Sequence, residues 1–272
     1  MKFIPVLFAV ILVAACNNST PETEEIDPVS KPLTGIAAPQ NINLNIIGVY
    51  AHDTSAYTQG LEIYDGKMYE STGDFENSSL RITDVKTGNV IKKHMMGTVQ
   101  VFGEGITIFG DKIYQLTWKN NLVNVYDVKN IDKPVQTFKW PYEGWGITHT
   151  DTDLVISDGS ANLHFVNPVD FKVRRSVQVS DNIGAVNALN ELEYIDGFVF
   201  ANVYGSDYIV KIDPSNGHVV GRISLPGLIQ QYAKGYSPDP EEVLNGIAWD
   251  SATKKLYITG KRWPKMFEAL VN

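Results

Sequence analysis

The chain holds a single cysteine, Cys16, in 272 residues. That excludes an internal disulfide and any cysteine-rich zinc site. Its five histidines (His52, His94, His149, His164, His218) show no H-E-x-x-H or similar metal spacing. No G-x-S-x-G elbow and no phosphate-cradling glycine loop occurs. Basic residues are in deficit, 23 Lys and Arg against 31 Asp and Glu, for a net charge of -8. A nucleic-acid binder needs a basic face, so that class is excluded. No apolar run reaches the roughly 20 residues of a membrane span. No segment keeps a helical period over three turns.

The longest apolar run is FIPVLFAVILVAA, thirteen residues directly after Met1-Lys2. Its length is that of a signal-peptide core. It ends in Leu12-Val13-Ala14-Ala15-Cys16, which resembles a bacterial lipobox. The resemblance implies a signal peptide over 1–15, acylation of Cys16, and export to a bacterial membrane face on a lipid anchor. Residues 16–40 carry four prolines and an acidic run, Glu22, Glu24, Glu25 and Asp27, facing only Lys31. With few large apolar residues, they are expected to form a disordered tether.

From residue 41 to 272 one pattern recurs five times. Its anchors are Gln59-Gly60-Leu61, Glu104-Gly105-Ile106, Trp145-Gly146-Ile147, Asn190-Glu191-Leu192 and Asn245-Gly246-Ile247, spaced 45, 41, 45 and 55 residues apart. Each anchor opens a short apolar strand, then a turn such as Asp65-Gly66 or Asp196-Gly197, then a second strand. Third strands follow in four units (LRITDV, LVNVYDV, LHFVNPV, YIVKIDP), then fourth strands. Four antiparallel strands per 40 to 50 residues is the period of a β-propeller blade. The sequence therefore predicts an all-β, five-bladed propeller. The fifth repeat ends after three strands, and Ile42–Tyr50 is expected to supply its fourth and close the ring. An open solenoid is the alternative.

Inner strands line the channel of a propeller, so the anchor residues Gln59, Glu104, Trp145, Asn190 and Asn245 should meet at one mouth. Fourteen residues on, across each hairpin, stand Gly73, Trp118, Gly159 and Tyr204; the longer last turn puts Lys261 there. These positions are equivalent in structure and different in chemistry, which points to a site. Glu104 is the one carboxylate of the inner ring. Trp140 and Trp249 are read as blade packing, Trp263 is unassigned, and Glu191 and Glu193, next to Asn190 in sequence, are read as structural or supporting.

The stretches YTQGL, VFGEGI, LTWK, EGWGI, LNELEY, ANVYGSD, LNGIAWD and ITGKRW, in this order, resemble the plant-type glutaminyl cyclases. The resemblance spans residues 45 to 270. It implies a five-bladed propeller that converts an N-terminal glutamine to pyroglutamate with release of ammonia, without metal or cofactor. It places the catalytic set on Glu104, Gln59, Asn190 and Lys261, and substrate-binding walls on Phe102, Trp118, Trp145 and Tyr204, with Asn245 beside them. Tyr204 departs from the family, which has a tryptophan there. A monomer acting on peptides that begin with glutamine is implied. A non-enzymatic propeller presenting the same mouth to a peptide or glycan is the other reading, and a carboxylate caged by aromatics is what separates the two.

If Cys16 carries lipid, Cys16→Ser should move the protein out of the detergent phase of a partition assay. Unchanged partitioning would refute the anchor.

Overall fold

The computed structural model describes residues 34–97 and 100–272. The expected signal peptide, Cys16 and the tether up to residue 33 lie outside them. Two strands come first, β1 (Gln40–Ile42) and β2 (Leu44–Ala51). Five sheets follow. Blade one holds β3 (Tyr57–Tyr64), β4 (Lys67–Gly73), β5 (Ser79–Thr83) and β6 (Val90–Met95). Blade two holds β7 (Gly103–Phe109), β8 (Lys112–Thr117), β9 (Leu122–Asp127) and β10 (Gln136–Lys139). Blade three holds β11 (Ile147–His149), β12 (Leu154–Ser157), β13 (Asn162–Val166) and β14 (Val173–Gln178). Blade four holds β15 (Leu189–Ile195), β16 (Phe198–Val203), β17 (Tyr208–Ile212) and β18 (Val219–Ser224). After a short helix, α1 (Leu228–Tyr232), blade five holds β19 (Leu244–Asp250), β20 (Lys255–Gly260) and β21 (Lys265–Val271).

Neighbouring strands within each blade pair antiparallel. The turns are those the sequence signals: Asp65 and Gly66 both take positive φ, 50° and 69°, as a two-residue hairpin with right-handed strand twist requires. Burial falls from the axis outwards. In blade one the inner β3 and β4 are mostly buried, whereas the outer β6 alternates with solvent. Five hydrophobic clusters result, one at each interface between adjacent blades. Leu61 and Met68 of blade one, for example, pack on Ala248, Tyr257 and Met266 of blade five.

The ring closes as expected: β2 pairs antiparallel with β21, from Leu44↔Val271 to Ala51↔Lys265, and is the fourth strand of blade five. The N-terminal segment does more than this. Gln40–Ile42 run parallel to β18 as a fifth strand of blade four. Thr34 Oγ1 also donates to the Asp181 carbonyl at 2.7 Å. Residues 34–40 are thus held against blade four, and the tether expected over 16–40 does not extend to Gln40. Ile42, expected in the closing strand, instead packs among the apolar side chains between blades four and five. The sequence pattern missed the break because Ile42 and Leu44 keep the same alternation on both sides of Asn43.

Glu268 on β21 pins the closing strand. It accepts from the Tyr50 hydroxyl of β2, from Tyr257 at 2.9 Å, from Lys255 at 2.7 Å and from Lys86 of blade one at 3.0 Å. Burial pushes this carboxyl up, but the hydrogen bonds from Lys255, Tyr50, Lys86 and Tyr257 outweigh burial and hold it down at about 2. A carboxyl depressed by folding stabilises above its unfolded value and loses that contribution as pH falls through its folded value. The effect is at most about 3 kcal/mol, and the exposed Lys86 supplies little of it. Glu268→Gln should therefore lower the melting temperature by several degrees at pH 7. The gap to wild type should close as pH falls from about 4.5 towards 2. A gap independent of pH would show that the charge network does not hold the seam.

Candidate active site

The anchors owe their position to one backbone irregularity. In blade one the register jumps between Thr58 and Gly60, so Gln59 sits in a β-bulge. The same jump spans Glu104 in blade two, Asn190 in blade four and Asn245 in blade five. In blade three β11 begins only at Ile147, leaving Trp145 just ahead of it. A bulge re-aims the extra side chain and frees it from the pleat. The glycine after the anchor has its own reason. A Cβ on Gly60 would come within 2.3 Å of the Ile106 nitrogen, and one on Gly146 within 1.9 Å of the Asn190 carbonyl oxygen. The inner strands of adjacent blades touch backbone to backbone at these points. Only glycine fits.

A cavity of about 450 Å³ opens at this mouth. Gln59, Phe102, Glu104, Trp118, Trp145, Asn190, Tyr204 and Lys261 all line it, as the sequence predicts. Asn245 does not. It is fully buried behind Gln59, where its Nδ2 donates to the Thr58 carbonyl at 2.9 Å and to Gln59 Oε1 at 3.4 Å. The expectation that Asn245 binds substrate is corrected: it orients Gln59. Trp263 is resolved as core, its indole N–H donating to the Glu242 carbonyl and its ring covering Gly260. Glu191 and Glu193 do not line this cavity; their carboxylates accept backbone N–H groups of the inner strands.

The floor of the cavity is polar. Lys261 Nζ donates to Gln59 Oε1 at 2.6 Å. With Asn245 on the same oxygen, the Gln59 amide N–H group is left for the cavity. Asn190 is buried, and its side-chain oxygen has no partner among the described residues. Glu104 is also buried, and no hydrogen bond or ion pair holds its carboxylate among the described residues. Burial pushes this carboxyl well above the usual carboxylate range; the Lys261 charge pulls it back in part, and Glu143 pushes it further up. Burial likewise lowers Lys261 to about 8, against the opposing pull of Glu104 and Glu241.

The walls are aromatic. Phe102 meets Trp118 edge-on with centroids 5.7 Å apart, and Trp145 meets Tyr204 at 5.9 Å. Lys261 Nζ lies 4.6 Å from the Tyr57 ring centre and 5.1 Å from that of Tyr204. Tyr204 therefore forms one side of a cation cage around the lysine. The glycines at the second-ring positions are seats for these walls. A Cβ on Gly73 would lie 2.1 Å from Phe102 Cε1, and one on Gly159 would lie 2.4 Å from Trp145 Cε2.

Sequence reasoning missed Tyr57, Asp74, Phe75, Glu241 and Arg262 on the lining, and Glu143 behind it. Tyr57 and Glu143 were within reach. Each stands two residues before its anchor, as Phe102 does, and residues two apart along an extended chain share a side. Arg262 pairs with Asp74 across the mouth at 2.9 Å. Glu241 belongs to the stretch between β18 and β19 that lengthens the last repeat and has no counterpart elsewhere. Among the described residues no three His, Cys, Asp or Glu side chains gather as metal ligands would.

Gly73→Ala should force the Phe102 ring into the cavity. Overpacking of this kind costs about 1–3 kcal/mol. The expected results are a lower melting temperature and altered tryptophan emission from Trp118, which Phe102 touches. Unchanged emission would show that the ring is not seated on Gly73.

Comparison with known proteins agrees with this geometry. The sequence model of the family described as glutamine cyclotransferase matches residues 9–271. A protein of Arabidopsis thaliana named glutaminyl-peptide cyclotransferase is 40% identical over 233 residues, which is 83% of this chain and 70% of that one. The crystal structure of Myxococcus xanthus glutaminyl cyclase superposes with a TM-score of 0.79 at 33% identity, over 86% of this chain and 98% of that one. A five-bladed ring, an aromatic mouth and matches of this extent lead to one conclusion: this chain belongs to the glutamine cyclotransferase family.

Proposed function

We propose that this chain is a glutaminyl-peptide cyclotransferase, closing the N-terminal glutamine of peptides to pyroglutamate with release of ammonia. The observation that carries the reading is Glu104: a buried carboxyl, raised well above its ordinary value, held by no donor among the described residues, in a pocket walled by aromatic rings. Cyclisation requires the α-amine to meet its own side-chain amide carbon. The aromatic walls favour that folded shape and exclude water, so the reaction becomes one of proximity. As the amine attacks, Glu104 takes a proton from its nitrogen. It returns that proton to the departing amide nitrogen, which leaves as ammonia. The Gln59 amide donates to the oxyanion of the tetrahedral intermediate. Lys261 fixes Gln59 and adds positive charge beside it. Asn190, whose oxygen has no partner among the described residues, receives the substrate amine. No metal or cofactor takes part in this scheme.

The lipobox-like LVAAC supports a further part of the reading. The mature chain begins at Cys16, acts as a monomer, and is exported and lipid-anchored at a bacterial membrane.

Ammonia release from a peptide beginning with glutamine tests the activity, with an N-terminally blocked peptide inert. Glu104→Gln keeps size and hydrogen-bonding reach but removes the proton carrier. It should lower turnover at least about a hundredfold with an unchanged far-UV spectrum. In the wild type, turnover should rise with pH as Glu104 loses its proton, at a pH above the ordinary carboxylate range. It should fall again as Lys261 loses its own near 8. Near-full activity of Glu104→Gln would remove Glu104 from the chemistry. No ammonia from any such peptide would leave a binding module.

A further inference from the structure

Glu143 lies behind the cavity wall, in the segment between β10 and β11. Its Oε2 accepts from Trp118 Nε1 at 2.7 Å and from Trp145 Nε1 at 3.1 Å. Its backbone carbonyl accepts from a third indole, Trp140, at 3.2 Å. Trp118 belongs to the Phe102 side of the cavity and Trp145 to the Tyr204 side. One carboxylate oxygen thus ties the two indoles of the cage to each other, and the core indole below ties the backbone of Glu143 in place. Indole has a single N–H donor and no acceptor. With that donor committed to Glu143, each ring can turn only by breaking a charge-assisted hydrogen bond.

We propose that Glu143 is a positioning residue for cyclisation: it fixes the Trp118 and Trp145 rings at the separation that folds the substrate's glutamine side chain onto its own amine. The proposal rests on the cyclotransferase reading of the site. Glu143 also acts on the proton carrier through space. Glu104 is faced by Lys261 from the turn after β20, by Tyr57 from β3 and by Glu143 from the segment before β11; Glu241 acts on Lys261. Burial is the main reason that Glu104 holds its proton to higher pH. Lys261 opposes this and the negative charge of Glu143 adds to it. One residue therefore couples the shape of the cage to the pH at which Glu104 works.

Two variants separate these effects. Glu143→Ala removes the acceptor of both rings. It should raise KM and lower kcat/KM by at least about tenfold, and shift tryptophan emission. Glu143→Gln keeps an acceptor oxygen but removes the charge. It should hold KM near wild type while the acidic limb of kcat moves to lower pH, because Glu104 loses a like-charged neighbour. A residue that merely supported the fold would lower the melting temperature and leave that limb where it is. If Glu143→Ala fails to fold, Glu143→Asp takes its place: it keeps the charge but draws the acceptor back by one methylene, so both indoles should lose their anchor and KM should rise in the same way. A Gln variant with the acidic limb of the wild type overturns the tuning. Wild-type KM and emission in a folded Ala variant overturn the positioning. Absence of ammonia release by the wild type is a separate outcome and overturns the cyclotransferase reading itself.

Discussion

The inner strands of five blades must meet around one axis, and everything at the mouth depends on how closely their backbones approach. Gly60, Gly105 and Gly146 have no room for a Cβ; each would strike the backbone of the next blade. Blade four carries Glu191 at the equivalent position, and there the side chain reaches into the axis. It accepts the N–H of Leu61 from blade one at 3.3 Å and that of Ile247 from blade five at 2.8 Å. Glu62 does the same for Ile108 at 2.8 Å, and Glu193 for Trp249 at 3.0 Å. The inner edge of a propeller blade has backbone donors with no further strand to receive them, and leaving them unpaired would cost free energy. The channel carboxylates supply the acceptors.

This gives a physical distinction between two kinds of buried glutamate. Glu62, Glu191 and Glu193 are pushed up by burial and drawn partly back by backbone donors. Glu104 is pushed up in the same way, yet no donor among the described residues engages it. A buried polar group without a partner is destabilising unless something else in the protein's cycle supplies one. In the proposed reaction, at the base of an open pocket, the substrate amine is that partner. Glu104 is therefore set apart less by its raised pKa, which it shares with three others, than by the hydrogen bonds it lacks among the described residues.

Much of this was legible in the sequence because the constraint repeats. The anchor glycines and the Asp-Gly turns recur at blade period, so the blade count, the strand count and the ring-closing strand followed from spacing. Equivalent positions with unlike side chains then located the mouth. What failed was the step from position to orientation. Asn245 occupies the same bulge as Gln59 and Asn190, but its amide is drawn behind Gln59 by the Thr58 carbonyl. Residues outside the repeat left no signal: Glu241 comes from an insertion, and β1 adds to blade four parallel to its neighbour. Glu143 was visible in principle, two residues before Trp145. Without the three indole N–H groups converging on it, it read as one more acidic residue in a loop.

The seam between blades five and one is where architecture and chemistry meet. Lys261 and Asn245 belong to blade five and Gln59 to blade one, yet all three share one amide oxygen. Around them Arg262 N–H reaches the Ala56 carbonyl at 2.7 Å, and its guanidinium reaches Asp74 at 2.9 Å. The covalent link from blade five into blade one does not run from β21. The closing strand β2 supplies it, pairing with β21 and leading through residues 52–56 into β3. That strand joins the contacts of Asn245, Lys261 and Arg262 in holding Gln59 against blade five. An N-terminal segment that looks like a structural fastener is thus also part of what assembles the polar floor of the site.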